Sequence, residues 1–183
     1  DKYHLVPFGE YVPFGDFLAR FGIYGMAPQH GAGFRRGAGP QLLDLGPLGR
    51  ALPLICYEAV FAQDVNAAPA RPDFIIHATN DAWFGTHAGP QQHLAQARMR
   101  AIEQGLPVAR AANTGISAII DPHGRVLDSL GLGQAGYVDA ALPQALAPTL
   151  YSKTGDVPLT LLGVALLCFA VMRRVTRQRR LSE

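Results

Sequence analysis

Apolar residues along this chain fall into short runs cut by glycine- and proline-bearing turns, and one long amphipathic stretch interrupts that rhythm. Gln41–Leu45 and Arg50–Ile55 read as two strands joined by the turn Gly46-Pro47-Leu48-Gly49. A helix is expected from Cys56 through Ala68. Phe74–Ala78 is apolar and rich in β-branched residues, which predicts a buried strand ending in the loop Thr79-Asn80-Asp81-Ala82-Trp83-Phe84-Gly85. Between Pro90 and Gln104 the spacing of Leu94, Ala97, Ala101 and Ile102 is helical, and Gly105 closes the segment. Val108–Ala112 and Ile116–Ile120 flank Asn113-Thr114-Gly115 as strands. A turn at Asp121-Pro122-His123-Gly124 leads into Arg125–Asp128, and Gly136–Ala140 reads as a last strand. Strands alternating with helices indicate an α/β layered domain.

Both ends depart from this rhythm. Lys2–Pro13 reads as a short strand running into a loop, because Pro7, Gly9 and Pro13 forbid a helix. Phe14–Met26 interleaves Phe14, Phe17, Leu18, Phe21, Ile23, Tyr24 and Met26 with glycines. Such a segment is either tucked against the core or is an arm that meets something apolar. At the other end, Val157–Met172 is uncharged and almost wholly apolar, and five arginines follow it in the last eleven residues. A bilayer span needs roughly 20 apolar residues. Tyr151–Asp156 supplies a lead-in, and positive flanks stay cytoplasmic. The expected division is a catalytic domain over 1–150, a membrane helix over 151–172 and a basic cytoplasmic tail over 173–183.

Composition changes the picture in two places. Of the 16 basic and 14 acidic residues, the tail holds five arginines against one glutamate. The basic balance therefore belongs to the tail and is no nucleic-acid signal. Six histidines are scattered without metal-ligand spacing, so no metal and no cofactor is expected. With 183 residues and 49% hydrophobic residues the chain suits one folded domain. It opens on Asp1 without a methionine and reads as the C-terminal portion of a longer protein.

The chemistry centres on Leu52-Pro53-Leu54-Ile55-Cys56-Tyr57-Glu58, an apolar run ending in a thiol. Open α/β sheets bind ligands at the C-terminal edge of their strands, and a nucleophile on a sharp turn there is exposed. A small buried core thiol is the alternative from this stretch alone.

The loop Lys-x-His-Leu-x-Pro-Phe-Gly-Glu-Tyr-x-Pro after Asp1, Ile55-Cys56-Tyr57-Glu58, Asn80-Asp81-x-Trp83-Phe84-Gly85, Arg98-x-Arg100-Ala101-Ile102-Glu103 and Arg110-Ala-Ala-Asn113-Thr114-Gly115 together resemble the nitrilase superfamily. Within it they resemble the bacterial apolipoprotein N-acyltransferase family. The resemblance implies an α-β-β-α sandwich, incomplete at its N-terminus, followed by a transmembrane helix. It implies a Glu-Lys-Cys triad in which Cys56 is the nucleophile and Lys2 the lysine, with the base glutamate upstream of Lys2. Glu10 matches a second acidic position of the catalytic loop. Tyr57, Glu58 and Trp83 are expected against substrate. The implied reaction takes a fatty acyl chain from a phospholipid and passes it to the diacylglyceryl-cysteine amine of an apolipoprotein, in the periplasm of an inner-membrane protein. A membrane-anchored amidohydrolase of small amides and a non-catalytic interaction domain are the rival readings.

Overall fold

The computed structural model describes residues 2–22 and 36–181. Six strands lie in the sheet in chain order: β1 (Leu43–Asp44), β2 (Arg50–Ile55), β3 (Phe74–Asn80), β4 (Val108–Asn113), β5 (Ser117–Ile120) and β6 (Val126–Leu130). The three central strands β2, β3 and β4 are parallel, and antiparallel pairs close both edges. Parallel neighbours need crossovers of a dozen residues or more. Residues 56–73 and 81–107 are those crossovers.

Short helical pieces occupy Gly15–Leu18 (α1) and Ala62–Asn66 (α2). The long helix α3 (Ala88–Gln104) covers one sheet face. It buries Ala97 and Ala101 against Leu52 and Leu54 of β2, Ile75 of β3, Val108 of β4 and Ile120 of β5. Gly105 ends it at φ 63, the left-handed cap position that favours glycine. The buried face of α3 is rotated from the expected apolar stripe. Ile102 is exposed, whereas His93, Arg100 and Gln104 are buried alongside Ala97 and Ala101. Each polar member has a partner, Arg100 donating to Val60 O at 2.9 Å and Gln104 to Asn66 Oδ1 at 2.6 Å, so burial is compensated by hydrogen bonds.

Three local expectations change. The helix expected from Cys56 to Ala68 is a 3-10 turn (Cys56–Val60) followed by α2, because Phe61 breaks out to an extended φ/ψ between them. Residues 2–13 hold one isolated bridge, Pro7 with Tyr11, rather than a strand. Gly136–Ala140 is irregular. Residues 131–149 return across the end of α3, where Leu146 N donates to Gly105 O and Arg71 donates to Leu146 O, both at 2.9 Å.

That return leads to α4 (Leu150–Thr154) and α5 (Val157–Leu181). The apolar window Val157–Arg174 lies on α5 with none of it buried against the rest of the chain. At 1.5 Å per residue its 18 residues measure about 27 Å, close to the thickness of a bilayer core. Gly155 and Asp156 separate α4 from this window, so the single helix expected over 151–172 is broken there, and α5 continues through the arginine-bearing segment to Leu181.

Candidate active site

Cys56 is the first residue after β2 and adopts φ 53. That left-handed conformation costs a residue with a side chain roughly 1–2 kcal/mol, so its surroundings must hold it there. The turn faces the same sheet edge as the end of β3, as the parallel pairing of Ile55 with Ala78 requires. Cys56 is half-buried, and the 3-10 turn it opens carries Tyr57 and Glu58.

Glu58 ties this turn to the N-terminal segment. Its carboxylate is buried, Oε1 accepting Tyr3 N at 2.6 Å and His4 N at 3.2 Å, and Oε2 accepting Ile55 N at 2.7 Å. Expected against substrate, Glu58 instead spends its lone pairs on protein backbone. One residue upstream of Tyr3, Lys2 Nζ meets both oxygens of Glu10 at 2.7 and 2.6 Å, and Glu10 Oε2 also accepts Val6 N at 2.9 Å. The Lys2 side chain is 11% exposed, so the pair is shielded from most solvent screening.

Tyr57 packs edge-on to Phe61 at 4.9 Å, and His4 stacks flat on Phe61 at 3.6 Å while its Nδ1 meets Asp64 Oδ2 at 2.8 Å. Burial pushes the Tyr3 phenol upward, helped by the charges of Glu58 and Asp64. Trp83 is exposed on the 3-10 turn Asp81–Phe84 after β3, and Phe8, Phe14, Phe17 and Phe21 are exposed on the N-terminal segment. Ile23, Tyr24 and Met26 lie outside the described residues.

Beneath the Cys56 turn sits a buried polar cluster; the sequence motifs include Asp81 and Arg110 without a role, and they single out neither His77 nor His93. His77 of β3, Asp81 after it, His93 of α3 and Arg110 of β4 are each at most 5% exposed. Arg110 donates to His77 Nδ1 at 2.7 Å and to Asp81 Oδ2 at 2.5 Å. A guanidinium has no acceptor, so His77 carries its proton on Nε2 and donates it to Cys56 O at 3.1 Å. His93 presents Nε2 to the same oxygen at 3.2 Å and Nδ1 to Asp81 Oδ1 at 2.9 Å. Thr79 donates to Asp81 Oδ1 at 3.0 Å. Gly115 packs so closely that a Cβ there would overlap the Asp81 carboxylate.

The electrostatics follow from depth. Burial, reinforced by the Arg110 and His93 charges, holds His77 down to about 3, so the ring is neutral at physiological pH. Burial pulls the Asp81 carboxyl upward, but the His93 hydrogen bond and the Arg110 charge outweigh it and hold Asp81 below its usual value. Arg110 is lowered by burial against the pull of Asp81, and an ionised Cys56 is among the charges that favour its cationic form. Two signals in the sequence could have found this cluster. His93 and Arg100 share the helical face of Ala97, Ala101 and Gln104, and His77 interrupts an apolar strand. No group of three or more metal-ligating side chains is assembled among the described residues.

The carbon-nitrogen hydrolase family model matches residues 1–150. An apolipoprotein N-acyltransferase of Bradyrhizobium diazoefficiens is 51% identical over 97% of this chain and 33% of its own length. The protein of the same name from Rhodopseudomonas palustris is 48% identical over 95% and 32%. The chain thus spans about a third of the length of the curated relatives it matches. Among solved structures, an amidase from Nesterenkonia sp. is 26% identical with a TM-score of 0.50, over 73% of this chain and 51% of that one. In another structure of that amidase, matching 53% of its chain at the same identity and TM-score, acrylamide has added to the active-site cysteine.

Proposed function

Because the chain belongs to the carbon-nitrogen hydrolase family, we propose that it carries the thiol half of an apolipoprotein N-acyltransferase active site, with Cys56 as nucleophile. The observation that carries this reading is the placement of Cys56. It stands on a left-handed turn at the C-terminal edge of a parallel strand, and Glu58 joins that turn to the segment bearing Lys2.

In the proposed first half-reaction the Cys56 thiolate attacks the ester carbonyl carbon of a phospholipid. A C–S bond forms and the carbonyl electron pair moves onto oxygen. Fixed donors stabilise that oxyanion; we assign Lys2 Nζ and the Tyr57 backbone N–H to this task. Collapse breaks the C–O bond, and the lysophospholipid alcohol leaves with the proton first taken from the thiol. We place that proton on a glutamate upstream of Lys2. In the second half-reaction the α-amine of a diacylglyceryl-cysteine attacks the thioester. The C–S bond breaks, the amine gives up a proton to the same base, and an amide and the free thiolate remain. Glu10 orients Lys2, and Tyr57 and Trp83 flank the acyl chain. Glu58 acts on this site through the backbone it holds.

The exposed apolar window of α5 favours a lipid substrate over the rival small-amide hydrolase, since a small polar substrate needs no membrane contact. We place the catalytic domain in the periplasm, the inner-membrane span at 157–172 and the arginine-bearing end in the cytoplasm. The test is intact-mass analysis of the full-length protein after incubation with phospholipid vesicles. One hydroxylamine-labile acyl group, absent from Cys56→Ser and present in Cys168→Ser, is expected. Full acylation of Cys56→Ser excludes the assignment. Turnover of small amides with no acyl group captured from lipid selects the hydrolase reading.

A further inference from the structure

We propose that the buried His77–Arg110–Asp81–His93 cluster aims the oxyanion-stabilising N–H of Tyr57 by holding the Cys56 carbonyl oxygen between two imidazoles. The proposal rests on Cys56 being the nucleophile and assigns positioning roles to four residues outside the catalytic set.

The physical link is the planarity of the peptide bond. In a trans peptide the C=O and the following N–H point in opposite directions, and no peptide in the described chain is cis. The Cys56 carbonyl points into the cluster, met by His77 Nε2 at 3.1 Å and His93 Nε2 at 3.2 Å. The Tyr57 N–H on that same plane therefore points away from the buried cluster. The first N–H groups of a helix have no partner within it, and Tyr57 is the second residue of its turn. Pinning one end of the plane directs a donor at the other end.

The rest of the cluster makes the pin stiff. Arg110 can only donate, so it fixes which nitrogen of His77 carries the proton. Asp81 orients His93 and is itself gripped by Arg110 and Thr79. All of the side chains hang from the central strands β3 and β4, the turn after β3, and α3, elements tied together by the sheet ladder and the core. A donor for a developing charge is effective when it is already oriented before the charge appears. The left-handed backbone of Cys56 is held by the same two contacts.

The experiment separates this role from a merely structural one by comparing two reactions of Cys56 in the full-length protein. Acyl transfer from mixed phosphatidylethanolamine–phosphatidylglycerol vesicles passes through an oxyanion; alkylation by iodoacetamide, a direct displacement, does not. His77→Phe and His93→Phe keep a flat ring and remove the ring nitrogen that faces the carbonyl. Each is expected to slow single-turnover acylation by about 10²-fold or more while alkylation stays within about threefold of wild type. If a phenylalanine variant does not fold, His93→Asn, whose amide is too short to reach the carbonyl, carries the same expectation. His77→Gln, which retains a donor, should stay near wild type. Unchanged acylation overturns the proposal, as does an equal fall in both reactions. Acylation that survives in Cys56→Ala instead overturns the nucleophile assignment beneath it.

Discussion

The Glu58 carboxylate accepts the backbone N–H of Tyr3 at 2.6 Å across 55 positions of sequence. With its other oxygen it accepts Ile55 N at 2.7 Å, immediately before Cys56. One buried side chain thus sets the spacing between the segment that carries Lys2 and the turn that carries the thiol.

Glu58→Gln presents an amide NH₂ to an N–H donor on one side of that clamp. An unsatisfied buried donor costs ~1–3 kcal/mol, more where a charged partner is lost. The expected outcome is a Tm lower by about 2–4 °C for each kcal/mol lost, together with a fall in acylation larger than that of Tyr57→Phe. Differential scanning calorimetry and single-turnover acylation measure the two. Wild-type values for both would remove Glu58 from the positioning role.

Acid should weaken the fold through His77. Its folded pKa of about 3 lies below the ordinary histidine value of 6.5, so between those values the unfolded chain binds the extra proton. Stability is therefore complete above about pH 6.5 and falls as pH drops toward 3, by up to about 1.4 kcal/mol per pH unit. Arg110, His93 and Asp81 face this ring, and the depressed Asp81 adds a loss of the same sign below the carboxylate range. Denaturant melts of the full-length protein from pH 7 to 4 should show this slope, and His77→Gln should flatten it.

Phe17 and Phe21 meet edge-on at 5.3 Å yet are 59% and 67% exposed. Side chains so placed add little to the core, so replacing both with serine should change stability by no more than about 0.5 kcal/mol. Acyl transfer from vesicles is expected to fall about tenfold or more if they sit against lipid, a 1.4 kcal/mol effect. A collapse in thermal stability with normal activity per folded molecule would make them core residues.

Topology is testable at two exposed points. A reporter fused after Glu183 should read cytoplasmic by the positive-inside rule. A cysteine placed at His123, exposed on the β5–β6 turn, should be labelled from the periplasm by an impermeant maleimide. The reverse pattern would put the catalytic layer in the cytoplasm.

Local chemistry carried much of this molecule. Arg50–Ile55 and Phe74–Asn80 announce themselves as apolar runs, and α3 as a helical period closed by Gly105, because strand and helix periodicities are properties of neighbouring residues. Cys56 was legible for the same reason, as a thiol ending a strand. The expected membrane helix stops at 172 with a basic tail beyond it, whereas α5 runs on through the arginines to Leu181, arginine being a good helix former; the charge there bounds an apolar window, not the helix. What only the tertiary structure decided are contacts between distant segments. Glu58 reads as a substrate-facing carboxylate until Tyr3 and His4 close on it from the other end of the chain. His77, Asp81, His93 and Arg110 read as scattered polar residues until the parallel register of β3 with β4 and the rotation of α3 bring them under one carbonyl. Burial turns those four into a cluster: without water, each donor must find an acceptor within the protein, and the fold alone determines which are in reach.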